Sequence, residues 1–197
     1  MNDRMARKIL VIQAHPDAGH GHFGDALAER YADAARTGGL DTRILTLNQL
    51  TFPLIDSASD WRAPEVPTDI ERAQNDIRWC DHMTFFYPLW LGDMPALLKG
   101  FLEQVMRPDF AFSEPKGKMP VRMLAGRSAR LVVTMGMPAF FYRAFYRAHS
   151  VKNFRRNILL FSGVKPVRTS LVGMVEGSDR HRQKWLDKMT RLGSTGR

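Results

Sequence analysis

Two stretches carry residue types that could do chemistry. In the first, His15-Pro16-Asp17-Ala18-Gly19-His20-Gly21-His22-Phe23 separates an apolar run at residues 8–14 from a helical pattern through Ala26, Leu27, Tyr31 and Ala34. Where a strand, a Gly-rich loop and a helix N-terminus meet, unpaired backbone N–H groups and the helix dipole converge on one point, and a phosphate suits that point. The N–H groups of Gly21, His22 and Phe23 could bind it unaided, with side-chain donors from His15, His20 or His22. The plainer reading is a βα turn with surface histidines. In the second stretch, Pro88-Leu89-Trp90-Leu91-Gly92 follows a strand-like apolar run at 82–87 and precedes a helix that starts at Pro95. This loop offers apolar side chains and free backbone N–H groups beside a rigid proline, the makings of a slot for a flat heteroaromatic ring. The plainer reading is a connection whose Trp90 and Leu91 cap the core.

The elements that position these loops follow from periodicity. Residues 8–14 and 82–87 have the composition of strands buried on both faces, and 42–47, 131–135 and 166–172 read as three more. Between them lie helical patterns. The first closes at Gly38-Gly39. Thr68 is expected to cap the second, since Thr68 and Glu71 have capping-box spacing and Ile70, Ala73, Ile77 and Cys80 follow at helical intervals. A third runs through Leu97, Leu98, Phe101, Leu102 and Val105, a fourth spans 140–161 with an interruption near His149-Ser150, and the last is 180–192. Residues 51–67 read as a surface excursion and 106–126 as a loop anchored by Phe110 and Phe112. Strand and helix alternate throughout, which predicts right-handed βαβ units and a parallel sheet with helices on both faces.

Composition narrows the function classes. With 197 residues, 44% of them hydrophobic and 25% charged, residues 1–197 are expected to form one ordinary globular domain. No signal-like stretch opens the chain and no run approaches the roughly 20 apolar residues of a membrane span, so a cytoplasmic protein without membrane insertion is expected. The single cysteine, Cys80, reads as a buried thiol, and no metal-ligand spacing occurs. The net charge of +9 is spread over several loose groups, among them Lys116, Lys118 and Arg122, and Arg143, Arg147 and Arg155. A nucleic-acid partner would rest on that charge alone and is not expected.

The string YPLWLGDMPALLKGFLEQV, followed by RPDFAF, resembles the NAD(P)H:quinone oxidoreductases, and weaker similarity spans residues 8–175. That family includes the mammalian quinone reductase and the flavin-bearing ancillary subunits of bacterial potassium efflux systems. The resemblance implies a flavodoxin-like doubly wound sheet of five parallel strands, order 2-1-3-4-5, with a flavin at the switch point between strands one and three. It makes Pro88, Leu89, Trp90 and Leu91 the flavin loop and adds Thr134, Met135, Gly136 and Met137 as contacts along the ring. His15 and Phe23 match the family's first loop, whereas Gly21 and His22 stand where relatives carry a Ser or Thr beside the phosphate.

The implied activity is ping-pong hydride transfer from NAD(P)H to the flavin and then to a quinone, with FMN preferred to FAD. Relatives build the substrate slot from two chains, and the aromatic segment at 140–149 fits such a homodimer. Tyr142 and His149 are the matching candidates to stabilise the reduced flavin, with Tyr146 a competing donor. The alternative within this resemblance is a flavin-bearing regulatory subunit of a membrane transporter such as a potassium efflux system.

Overall fold

A computed structural model describes residues 6–19, 21–115, 117 and 119–197; His20, Lys116 and Lys118, singled out above, lie outside the described residues. The central sheet contains β1 (Lys8–Gln13), β2 (Asp41–Thr46), β3 (His82–Pro88), β6 (Ser128–Thr134) and β7 (Val167–Val172). All pairs are parallel and the order is β2-β1-β3-β6-β7, the 2-1-3-4-5 arrangement. Every residue of β3 is buried, which explains its unbroken apolar composition.

The period-two alternation of side chains divides the core. Ile9 and Val11 face α1 (Phe23–Thr37) and α7 (Asp179–Gly193), packing with Leu27, Tyr31 and Met189. Leu10 and Ile12 face the other side, where α3 (Thr68–Trp79) and α4 (Ala96–Val105) contribute Ile70, Ile77, Leu98 and Phe101. Burial pushes the Cys80 thiol on that side up to about 12, so it stays protonated and inert at neutral pH.

Four local expectations differ from the structure. The Thr68 side chain caps nothing; Pro67 is the N-cap residue of α3, and Asp69 accepts from the Thr51 N–H instead, tying the excursion to the helix. Within that excursion α2 (Ala58–Trp61) forms one turn. Its surroundings are pinned by Arg107, a buried side chain that donates to the carbonyls of Asp60, Ala63 and Glu65 and to the Gln104 amide. Burying a guanidinium is costly unless its donors are taken up; these bonds occupy both Nη atoms, while Nε has no partner among the described residues.

The loop at 106–126 is not wholly irregular, because β4 (Phe112–Ser113) and β5 (Val121–Arg122) pair antiparallel within it, with Phe110 and Phe112 buried. Finally, the helical stretch after β6 divides into α5 (Ala139–Ala144), α6 (His149–Asn153) and a π-helical segment (Phe154–Leu160). The break falls at Arg147 and Ala148, both at φ 50, a left-handed conformation that no α-helix continues through.

Candidate functional site

Loops after β1, β3 and β6 meet at the carboxyl end of the sheet, beside the switch point between β1 and β3. The β1 loop is held from below by Asn48, whose amide donates to the carbonyls of His15 and Asp17. The Asp17 N–H donates to His15 Nδ1 at 3.3 Å, and Asp17 Oδ1 in turn accepts from the Gly19 N–H at 2.8 Å. The rings of His15 and His22 stack with centroids 3.7 Å apart, and His22 Nε2 lies 3.0 Å from Asp17 Oδ2 without hydrogen-bond geometry, leaving it buried and without a hydrogen-bond partner among the described residues. The Gly19 N–H, with His22 and His15 beside it, holds the Asp17 carboxyl below the usual carboxylate range. Partial burial raises Asp25, in the first turn of α1, against the opposing pull of the same two histidines. His22 is the N-cap residue of α1 but makes no side-chain cap. The N–H groups of Phe23 and Gly24 accordingly have no acceptor among the described residues.

The β3 loop is more tightly bonded than its composition suggests. The Leu89 N–H donates to the Thr134 carbonyl, and Trp90 and Asp93 exchange two backbone bonds of 2.9 Å around a two-residue turn. Leu91 at φ 49 and Gly92 at φ 81 form that turn. Two of the three N–H groups expected to be free for a ring are therefore spent, because the turn closes on itself. Those of Leu91 and Gly92 find no acceptor among the described residues. The Leu91 side chain is fully exposed rather than facing the cleft, and Trp90, half exposed, meets His15 edge-on at 5.8 Å.

In the β6 loop the Met135 N–H still bonds to Val172 and its carbonyl accepts from Val175. A Cβ at Gly136 would meet nothing within 4 Å, so this backbone opens directly onto the cleft, while Met137 packs on the core. Gly173 makes the arrangement possible: a Cβ there would lie 2.5 Å from the Ala139 nitrogen. Sequence reasoning missed that role, although a glycine immediately after a strand end was the available signal.

Together the loops enclose about 300 Å³, lined by His15, His22 and Phe23 from the first, Pro88, Leu89 and Trp90 from the second, and Thr134, Met135 and Gly136 from the third. Gly24 and Val175 also line it and were not foreseen. Gly21, Leu91 and Met137 do not, Gly21 standing at φ 98 with nothing within 4 Å of its Cβ position. Tyr142 and His149 are not brought here either. Tyr142 is fully buried with its hydroxyl 2.8 Å from Ser150 Oγ, and His149 is an exposed residue opening α6 beyond the left-handed break. Tyr146 is the aromatic of that segment that reaches the β3 loop, its ring 3.3 Å from where a Gly92 Cβ would stand. Among the described residues no cluster of side chains could hold a metal ion, and no helix is long and apolar enough to cross a membrane.

Residues 7–192 match the family model described as flavodoxin-like fold. The chain belongs to the flavodoxin-like family. Among curated flavodoxin-like relatives, it is 28% identical over 179 residues to an uncharacterized NAD(P)H oxidoreductase of Haemophilus influenzae, covering 89% of this chain and 88% of the relative. It is 39% identical over 136 residues to the glutathione-regulated potassium-efflux system ancillary protein KefG of Enterobacter sp. (strain 638), covering 69% of this chain and 62% of KefG. Among solved structures, the NAD(P)H:quinone oxidoreductase of Methanothermobacter marburgensis superposes with a TM-score of 0.81 over 98% of this chain and 100% of that one, at 22% identity, a likeness of fold.

Proposed function

We propose that this protein is a flavin-dependent NAD(P)H:quinone oxidoreductase. The observation that carries the reading is the cleft at the switch point, lined by the open backbone at Gly136, by Phe23 and Gly24, whose N–H groups have no acceptor among the described residues, and by His22, whose Nε2 lies 3.0 Å from the Asp17 carboxylate. These groups fit a flavin. The α1 N-terminus and His22 would hold its phosphate in place of the family's Ser or Thr, and FMN suffices for that contact. Pro88, Leu89, Trp90, Thr134, Met135 and Gly136 would bound the ring. A bound flavin supplies hydride acceptance from NAD(P)H and, in a second half-reaction through the same slot, hydride delivery to a quinone. The side chains' part is then orientation and desolvation. Tyr142 has no part in this proposal because its hydroxyl is committed to Ser150, and His149 has none because it stands outside the cleft.

We further propose a homodimer. Phe140 and Phe145 are exposed by 73% and 70%, Phe145 packs edge-on against Tyr146, whose ring reaches the Gly92 turn, and Leu91 beside it is wholly exposed, a set of bare apolar groups that a second copy would cover. The likeness to KefG supports a second reading, in which the same flavin site serves a regulatory subunit docked on a transporter.

The deciding experiment is to purify the protein, record its absorption through the flavin bands, release the chromophore and identify it by mass. The bound protein is then titrated anaerobically with NADH and NADPH, followed by a quinone. Stoichiometric bleaching by a nicotinamide and recovery on adding quinone is the expected result. A protein that neither carries nor takes up FMN or FAD would end the proposal, and bleaching without recovery by any quinone would favour the regulatory reading.

A further inference from the structure

We propose that the opposite, amino-terminal edge of the sheet holds a second site, which binds a small phosphate-class oxyanion between Arg7, His82, Ser128, Arg168 and Arg197. These residues line a cavity of about 290 Å³ at the starts of β3, β6 and β7. It stands one strand length from the cleft, since His82 opens the seven-residue strand that Pro88 ends, roughly 20 Å at the usual rise.

Hydrogen bonds hold the central imidazole in place. Arg7 Nη2 donates to Ser128 Oγ at 2.9 Å, and that oxygen lies 2.8 Å from His82 Nδ1 and 3.5 Å from the Asp81 carbonyl. Ser128 thus ties the imidazole to Arg7 and to the Asp81 carbonyl. His82 is 2% exposed, and Nε2 has no partner among the described residues.

The charge around it points the same way. Among the described residues Arg168 and the Arg197 side chain make no hydrogen bond or ion pair, and the Arg7 guanidinium bonds only a neutral hydroxyl. Arg130 is committed to Ser170 and to the Arg197 main-chain oxygen, and the Asp81 carboxylate is turned to the Lys8 N–H at 2.9 Å. Burial together with Arg7, Arg130 and Arg168 lowers His82 to about 3, which agrees with a neutral ring close to several guanidinium groups. Guanidinium groups from three separate segments and the Ser128 hydroxyl around one cavity match a tetrahedral oxyanion, free or as the phosphate of a larger metabolite.

The test is an NMR titration of the whole protein labelled at histidine, with inorganic phosphate and separately with glycerol phosphate, at ionic strength held constant by chloride. The His82 ring signals are assigned by their loss in His82→Gln. We expect them to move saturably with at least one of the two, the tighter ligand naming the source. Arg168→Gln, a change at an exposed side chain, is expected to weaken that binding at least tenfold. Chloride shifting the signals equally, no shift with either phosphate, or unchanged affinity in Arg168→Gln would each overturn the site. The readout is local to His82, so it stands whether or not the cleft binds flavin.

Discussion

The two ends of the sheet use histidine in opposite surroundings. At the carboxyl end His22 faces a carboxylate, Asp17, and a helix N-terminus, and the space around it is shaped by backbone. At the amino end His82 faces guanidinium groups and a hydroxyl, and the space is shaped by long side chains. An end built from backbone tolerates little change where chains touch, whereas an end built from flexible side chains changes in charge without changing shape. Gly173→Val tests that contrast most severely. Its Cβ would fall on the Ala139 nitrogen and the Met137 oxygen, both main-chain atoms that cannot swing aside. A loss of about 3 kcal/mol is expected, the upper end for overpacking, while Arg168→Gln should stay within about 0.5 kcal/mol of the parent. Urea midpoints for both variants check this, and equal midpoints would dissolve the distinction.

His22 gives the next effect. If its Nε2 is a phosphate donor, His22→Ala should cost about 1.5–3 kcal/mol of flavin affinity, roughly ten- to hundredfold in Kd. Equilibrium dialysis with fluorescence detection measures it. Unchanged affinity would hand the phosphate to the Phe23 and Gly24 N–H groups alone, and the carboxyl end would then be a backbone site throughout.

His82 predicts a pH signature for the amino end. Its folded-state pKa is lowered by burial and by Arg7, Arg130 and Arg168 to about 3, against about 6.5 in the unfolded chain. Below about pH 6.5 the unfolded chain takes up a proton that the native protein refuses, so stability falls as pH drops toward 3. Between about pH 7 and pH 5 the loss attributable to this group is about 2 kcal/mol. In phosphate-free buffer His82→Gln should remove that part of the slope; a parallel slope would mean that another group carries it.

How much of this could be read from residues alone differs between the ends. Strand positions and the breaks after them followed from apolar runs broken by Gly and Pro, because backbone chemistry leaves its mark locally: Pro88, Gly92 and Gly136 each stand where the chain turns, whereas the strand order and the ring contacts at 134–137 came from the family resemblance. Contacts between distant segments leave no such mark. Nothing near Arg107 in sequence announces that it will hold carbonyls some forty residues earlier, and nothing near His82 announces Arg168. The left-handed break at Arg147 and Ala148 was visible only as a lapse in periodicity, and no glycine marked it. That lapse decided the placement of Tyr142 and His149, which counting along a helix could not resolve.

Leu91 carries the smallest effect and the sharpest question about the carboxyl end. It holds φ 49 with its side chain wholly in solvent, so a single chain gains nothing from a leucine there. For an L-residue that conformation costs about 1–2 kcal/mol, and glycine would relieve it while adding about 0.5–1 kcal/mol of unfolded-state entropy. In an isolated chain Leu91→Gly should therefore stabilise by only about 0.5 kcal/mol, with unchanged sedimentation. If a second copy covers the cleft mouth, the same change removes a buried leucine from each side of the interface, and the dimer should dissociate at concentrations at which the parent stays paired. Sedimentation velocity of parent and variant across the micromolar range separates the two. A parent that is monomeric throughout, with a variant only slightly more stable, would show that the cleft is completed by one chain and that Leu91 guards an edge open to solvent.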